Sequence, residues 1–321
     1  MGNLVAAATP DTTTTPETFG QVQNFTLDFI QSLDVADGSK KTYQRGLSQF
    51  TSWLESNHIL NPVRQDILAY KAFLSAKRLS AFTVSNYIIA LKLFFEWTET
   101  THLYPNISKN IKCSKKKKGF QKDPLTLEQI KSLLESFDRA TLEGKRNFAI
   151  VNLMLRTALR SVEVVRCNYE NLRQVSGQPV LYVQGKGRDV ADEFVILTSA
   201  TLRPIREYLS ARGCINDGDP LFASSGRRNT GGRLTTFTVS KMLKKHLRQV
   251  GLDDRRLTCH SMRHTAITLS LVGGASLQQT SGFARHSSID TTMVYAHNID
   301  RVSETCPERK IDAVLAGVLN A

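Results

Sequence analysis

The chain reads CHSMRHTAITLSLVGGASLQQTSGFARHSSIDTTMVYAH from Cys259 to His297. The spacing of its apolar residues predicts one helix over residues 260–272 and shorter helical segments around 277–284 and 291–295. Set among these helices are two histidines, an arginine and a tyrosine: His260, Arg263, His286 and Tyr295. Together they supply a nucleophile, a fixed cation and proton-transfer groups, which are the groups needed to break a phosphodiester bond.

His260, Arg263 and His264 share one face of the predicted helix, because they stand at positions i, i+3 and i+4. Two histidines four residues apart could bind zinc, but no glutamate stands between them and an arginine shares their face. Arginine repels a metal ion and attracts a phosphate. Zinc is therefore disfavoured, and for His264 we favour a plain core histidine.

Two further basic residues lie upstream, Arg160 in TALRSVEVV and Lys186 in QGKGRD. Arg160 stands between two apolar helical segments, where a charge needs an anionic partner. On this ground alone, Glu163 and a phosphate are equally good partners. Lys186 lies in the turn between two β-runs, PVLYVQ and FVILT, where a lysine by itself is usually only solvated.

The composition favours a nucleic-acid partner. The 321 residues include 42 Lys and Arg against 29 Asp and Glu, a net charge of +13, which suits a polyanion, with an anionic membrane as the second choice. No apolar run approaches the ~18–20 residues of a spanning helix, and the N-terminus does not read as a secretory signal, so no membrane partner is expected. Five scattered cysteines without a CxxC pair favour a reducing cytoplasm over zinc or disulfide chemistry.

Composition and periodicity divide the chain into four parts. Residues 1–20 read as a disordered arm, and residues 21–105 as a bundle of four helices whose aromatics form the core. Residues 106–122 contain seven lysines and no acid, which predicts a basic linker suited to a phosphate backbone. Residues 123–321 form a second domain of helices and two strands. It opens with a helix capped by Thr126 and Gln129 and closes with a helix at about 309–321.

The second domain resembles the catalytic domain of the tyrosine recombinases, the phage-integrase and Xer-like family. The matching segments are TALRSVEVV, QGKGRD, HSMRHTAIT and RHSSIDTTMVYAH, and they follow the family order Arg, Lys, His-x-x-Arg, His, Tyr. The helical segment before them resembles the family's SAM-like core-binding domain, notably in SKKTYQRGLSQFTSWL. The resemblance implies a mainly α fold with a small β-sheet, its two domains forming a C-shaped clamp on DNA.

The resemblance also assigns functions to individual residues. Tyr295 would attack the scissile phosphate and form a 3′-phosphotyrosine, while Arg160 and Arg263 stabilise the charge of the transition state. Lys186 would be the general acid and His260 the general base. His286 would donate a hydrogen bond to the phosphate, and Glu163 would orient this group of residues. No metal or other cofactor is implied.

The chain departs from the family pattern at two positions. Arg285 stands where the family usually has glycine, and Ser161 stands where an aliphatic residue is common. Arg285 could alter packing or add a phosphate contact, so we expect it to contact DNA together with the lysine run Lys115, Lys116, Lys117 and Lys118. The C-terminal helix is expected to dock on a neighbouring protomer.

The resulting hypothesis is a site-specific DNA recombinase that acts in the cytoplasm, associated with the nucleoid. It would bind double-stranded DNA at paired inverted core sites, assemble as a homo-tetramer and pass through a Holliday junction, with accessory DNA-bending proteins as further partners. The basic linker and the threonine-rich arm favour integration, excision or resolution of a mobile element. Two alternatives stay open, a DNA-relaxing enzyme like the type IB topoisomerases and a non-catalytic DNA-binding regulator.

Overall fold

The computed structural model describes residues 22–114, 123–185, 188, 190–227, 229–302 and 307–319. These residues form two compact units, one within residues 22–114 and one from residue 123 onward. The first unit is helical and the second combines helices with a small sheet. The predicted fold class, mainly α with a small β-sheet, is confirmed. The predicted arm at residues 1–20 lies outside the described residues.

The first unit contains the four helices that the apolar spacing predicts. They are α1 (Val22–Ser32), α2 (Asp37–Ser56), α3 (Arg64–Ala76) and α4 (Ala81–Thr100). Aromatic residues form much of the core between them, and the rings of Phe50 and Tyr70 meet edge to face with centroids 5.1 Å apart, a geometry that aromatic pairs favour. The sequence favours Ser39 as the N-cap of the second helix, but α2 begins earlier, at Asp37. Ser80 caps α4 by accepting a hydrogen bond from the Thr83 backbone N–H.

The predicted linker at residues 106–122 is packed over its first half. Ile111 is buried in the core of the helical unit, and Ile107 and Cys113 pack against that core. The Ser85 hydroxyl donates to the Ser114 carbonyl at 2.9 Å. The sequence did not predict this packing, because the apolar residues are interspersed among lysines and show no regular period. The run Lys115–Lys118 lies outside the described residues.

The second unit opens with α5 (Leu127–Glu135), which carries the predicted capping box of Thr126 and Gln129. Its sheet has three antiparallel strands in the order β1-β2-β3: β1 (Leu172–Val175), β2 (Gln178–Val183) and β3 (Glu193–Ile196). β2 and β3 correspond to the two predicted β-runs. β1 was missed, because four residues reading LRQV are too few to show a clear period.

Eight further helices of the second unit are described. They are α6 (Leu142–Thr157), α7 (Ser161–Arg166), α8 (Ser199–Arg212), α9 (Thr236–Gln249), α10 (Cys259–Val272), α11 (Leu277–Ala284), α12 (Ile289–Val302) and α13 (Pro307–Leu319). α6 packs against both α8 and α10 and is buried along most of its length. It ends where Ala158 adopts a left-handed conformation with φ 53°. This turn leads the chain to Arg160 at the start of α7.

α13 presents apolar side chains to solvent. It begins before the predicted start, and its Ile311, Val314 and Leu315 are 57%, 68% and 49% exposed. Their spacing places them on one face of the helix.

Among the helices that the structure describes, none combines the length and the apolar character needed to span a membrane.

Candidate active site

Five of the six predicted catalytic residues lie in described parts of the second unit. Arg160 is the residue before α7, His260 and Arg263 lie on α10, His286 follows α11, and Tyr295 lies on α12. The packing of α10 against α6, α11 and α12 brings these segments together.

The sixth predicted residue, Lys186, lies outside the described residues, in the connection between β2 and β3. Its function as general acid stays a prediction.

Glu163 is a buried carboxylate that joins two arginines. Its Oε1 accepts from Arg160 Nη1 at 2.7 Å, and its Oε2 accepts from the Arg160 backbone N–H at 2.8 Å and from Arg285 Nη2 at 3.0 Å. Burial acts to raise the pKa of Glu163, but the charge of Arg285 and the hydrogen bonds from Arg160 outweigh it and hold that pKa below its ordinary value. Glu163 is therefore an anion shared by two guanidinium groups, and it is the protein partner of Arg160 that the sequence left open.

Arg285 adopts an unusual backbone conformation. Its φ of 54° lies in the left-handed region, which glycine adopts without strain and other residues rarely do. The side chain is only 8% exposed and lies between two carboxylates, with its Nε 3.8 Å from Oε2 of Glu193 as well as its bond to Glu163. Its predicted contact with DNA stays a prediction.

Arg263 is a cation fixed by backbone carbonyls. It is buried, its Nη1 donates to the Ala158 carbonyl at 2.6 Å, and its Nη2 donates to the Ala284 carbonyl. Burial, helped by the charges of Arg160 and Arg285, lowers the pKa of Arg263 to about 10. The group is therefore still protonated at neutral pH, and it joins α10 to the ends of α6 and α11.

Tyr295 is buried, with only 5% of its surface exposed. It packs with four small or branched apolar residues: Ala158, Ala266, Ile267 and Ala284. Its Oη lies 2.6 Å from Nδ1 of His264. Burial raises the pKa of Tyr295 to about 12, although the charges of Arg263 and Arg160 act to lower it. The phenol is therefore protonated at neutral pH, and it needs a base before it can act as a nucleophile.

Two imidazole rings pack near the Tyr295 ring. Their centroids lie 5.2 Å from it for His264 and 6.2 Å for His286, and His286 Nδ1 is 2.8 Å from Oγ1 of Thr292. Burial, together with nearby positive charge that includes Arg263, lowers the pKa of both histidines to about 4. Both are therefore neutral at pH 7. His260, one helical turn before His264, is exposed.

A cleft of about 770 Å³ lies against this group of residues. Its lining includes three arginines and one of the predicted histidines: Arg160, Arg188, Arg285 and His286. Such a lining suits a phosphate, which binds guanidinium groups through paired, charge-assisted hydrogen bonds. Tyr295 is not among the described residues that line the cleft.

His264 has a contact that the sequence did not predict. The sequence favoured a satisfied core histidine, and the half-buried side chain is hydrogen-bonded to the hydroxyl of Tyr295. One signal pointed to it, its place on the same helical face as His260 and Arg263. That spacing shows which residues share a helical face, but not which residues of other helices that face contacts.

Two family models match the chain. The model described as the phage integrase family matches residues 124–301, and one described as the phage integrase N-terminal SAM-like domain matches residues 23–104. The first alone covers more than half of the sequence. The chain therefore belongs to the phage integrase family, the tyrosine recombinases, and the resemblance drawn from its motifs is confirmed.

Individual relatives agree with this assignment. The tyrosine recombinase XerC of Herpetosiphon aurantiacus is 29% identical over 263 residues, which cover 79% of this chain and 83% of the relative. The tyrosine recombinase XerD of Listeria innocua is 27% identical over 289 residues, covering 84% and 92%.

Solved structures show the same fold. The XerH site-specific recombinase bound to palindromic difH substrate matches with a TM-score of 0.66 at 21% identity, covering 89% of this chain and 82% of the other. A lambda integrase dimer bound to a COC′ core site matches with a TM-score of 0.68 at 13% identity, covering 85% and 96%.

Proposed function

We propose that this tyrosine recombinase cuts and rejoins DNA at specific sites through a 3′-phosphotyrosine on Tyr295 and a Holliday junction. One observation supports this above all. Four segments that are distant in sequence, around Arg160, Arg263, His286 and Tyr295, converge beside a cleft rich in arginine. A buried tyrosine beside fixed cations suits phosphoryl transfer by an amino-acid nucleophile.

In the proposed cleavage step, Tyr295 Oη forms a bond to the scissile phosphorus and the bond to the 5′-oxygen breaks. His260 takes the phenolic proton and Lys186 gives a proton to the departing 5′-oxygen. Rejoining reverses the step, with a 5′-hydroxyl displacing Tyr295. The phosphodiester energy is kept in the tyrosyl link, so the proposed cycle consumes no nucleotide.

Arg160 and Arg263 would stabilise the extra negative charge on the phosphate oxygens during this step. Both guanidiniums are already fixed, Arg160 by Glu163 and Arg263 by the carbonyls of Ala158 and Ala284. Donors that are oriented in advance stabilise a transition state without reorganising. His286, neutral and close to Tyr295, would donate a hydrogen bond to the same phosphate.

The relatives support the proposed partner. The XerH and lambda integrase structures contain recombinase bound to DNA sites, and this chain carries a net charge of +13. We propose that the protein binds DNA at paired inverted core sites and forms a homo-tetramer in the synapse, with accessory DNA-bending proteins as further partners. We also propose that it acts in the cytoplasm, at the nucleoid, and that it moves or resolves a mobile element.

The test is covalent capture on DNA taken from the ends of the genetic element that carries the coding sequence. Wild-type protein should form an adduct that survives denaturing electrophoresis, and Tyr295→Phe should form none, because it lacks the attacking oxygen. Tyr182→Phe is the matched control, since Tyr182 lies on β2 against Phe194 and should keep full adduct formation.

Other outcomes of this experiment would contradict the proposal. Adduct formation by Tyr295→Phe would mean that another residue is the nucleophile. Relaxation of plasmids lacking the site would identify the topoisomerase alternative. Specific binding without any cleavage by the wild type would identify the regulator.

A further inference from the structure

The nucleophile hydroxyl has a partner that the proposed chemistry does not use. Tyr295 Oη lies 2.6 Å from Nδ1 of His264, well within the range of a good hydrogen bond. The two residues come from different helices, α12 and α10, which pack together. The bond therefore fixes where α12 holds its tyrosine relative to α10.

The pKa values of the two residues show that this bond joins neutral groups. Burial first, then electrostatic interaction with His260 and Arg263, lowers the pKa of His264 to about 4, with Asp123 acting the other way. Tyr295 has a pKa of about 12. At neutral pH the imidazole is uncharged and the phenol keeps its proton, so the bond joins two neutral groups, and the hydroxyl donates to Nδ1 when the imidazole proton is on Nε2.

The same values argue against His264 as the base. Transfer of the phenolic proton to a group with a pKa of about 4, from one with a pKa of about 12, is strongly unfavourable. The bond holds the hydroxyl without activating it. Tyr295 is also buried and is not among the described residues that line the cleft.

We propose that His264 is a positioning residue that retains the Tyr295 hydroxyl, protonated and withdrawn from the cleft, until DNA is bound. The proposal rests on the proposed function only in taking Tyr295 as the nucleophile. In this proposal His264 acts in the protein without bound DNA, before any proton is transferred. Release of Tyr295 then requires the bond between Oη and Nδ1 to break.

The experiment uses the free full-length protein, so it does not depend on recombination. Tetranitromethane nitrates tyrosines whose phenol is accessible and ionised, and peptide mass spectrometry measures the rate at Tyr295 separately from the other tyrosines. His264→Leu removes the hydrogen-bond partner of Tyr295, and nitration of Tyr295 should rise by about fivefold, the effect of losing one hydrogen bond of ordinary strength.

Two amide variants separate positioning from packing. The amide of His264→Asn stands at the same distance from the backbone as Nδ1 and should restore wild-type protection. His264→Gln carries its amide one carbon further out and should behave like His264→Leu. This comparison remains informative if the leucine variant does not fold, which a thermal melt would show.

The matched control is His246→Asn. His246 is a half-buried histidine of the same unit that bonds to Ser136 and packs on Phe137, so its loss should leave Tyr295 protected. Equal nitration of Tyr295 in wild type, His264→Leu and His264→Gln would overturn the proposal, since packing alone would then retain the tyrosine. Failure of DNA cleavage would contradict the proposed function and leave this result unaffected.

Discussion

Among single residues, Arg285 departs most clearly from the family pattern, because it replaces the usual glycine and places another arginine in the candidate active site. It takes a backbone conformation that favours glycine, and its guanidinium bonds to the fully buried Glu163, which also holds Arg160. The motif marked Arg285 as a departure from the family. It did not indicate that the side chain faces Glu163, because the contact joins residues 122 positions apart. Local pattern cannot specify such a pair.

We predict that Arg285→Gly lowers the free energy of unfolding. Removing the left-handed strain gains about 1 kcal/mol, but removing a hydrogen bond to a buried charged group loses about 2–3 kcal/mol. The net loss should be about 1–2 kcal/mol, measured by urea unfolding. In a Glu163→Gln background the same change should cost much less, because the ion pair is already gone. Equal costs in the two backgrounds would show that the Arg285 pairing contributes nothing.

At the scale of the element, helices were easier to predict than strands. The apolar spacing predicts a helix at about residues 64–76, because its apolar residues repeat over several turns, and α3 spans Arg64–Ala76. β1 is short and half polar, and the packed segment 106–114 has only three apolar residues, Ile107, Ile111 and Cys113, and forms no helix or strand. Contacts with distant residues hold such segments in place, so the sequence of the segment itself gives little information about its structure.

The exposed stripe on α13 leads to a prediction about assembly. A lone amphipathic helix of this length is marginal in water, and the C-terminal helix was expected to dock on a neighbouring protomer. Deleting residues 309–321 should leave binding to a single DNA half-site unchanged but weaken cooperative binding to the paired sites by about tenfold, as gel shifts would measure.

A double substitution on α13 makes the same test with less disruption than the deletion. Ile311→Glu with Leu315→Glu should reproduce the loss, because both side chains are exposed apolar groups on one face. Lys310→Ala, also exposed on α13, is the control and should bind cooperatively. Unchanged cooperativity in the double variant would show that this face does not contact a second protomer.

For the molecule as a whole, the sequence indicated which residues are candidates for catalysis but not what those residues contact. Motifs at fixed spacing pointed to Arg160, Arg263, His286 and Tyr295 as candidates, and the fold brings them together through α10. The partner of Tyr295 could not be predicted, since it depends on how α10 and α12 are rotated about their axes. Burial, which shifts the pKa values in the site, is likewise set by the whole fold.

These shifted pKa values predict how the stability of the protein depends on pH. His264 and His286 have folded pKa values of about 4, below the ordinary value of 6.5. Between pH 4 and 6.5 the unfolded chain therefore binds more protons than the folded one, and stability must fall as the pH is lowered through this window. The urea midpoint should decrease steadily from pH 7 to pH 4.5.

Two variants test whether the histidines cause this decrease. In His264→Asn, which has lost one of these groups, the decrease should be smaller. His297→Asn removes an exposed histidine of α12 and should follow the wild type. A wild-type midpoint that stays constant over this range would show that these histidines are not held neutral by the fold.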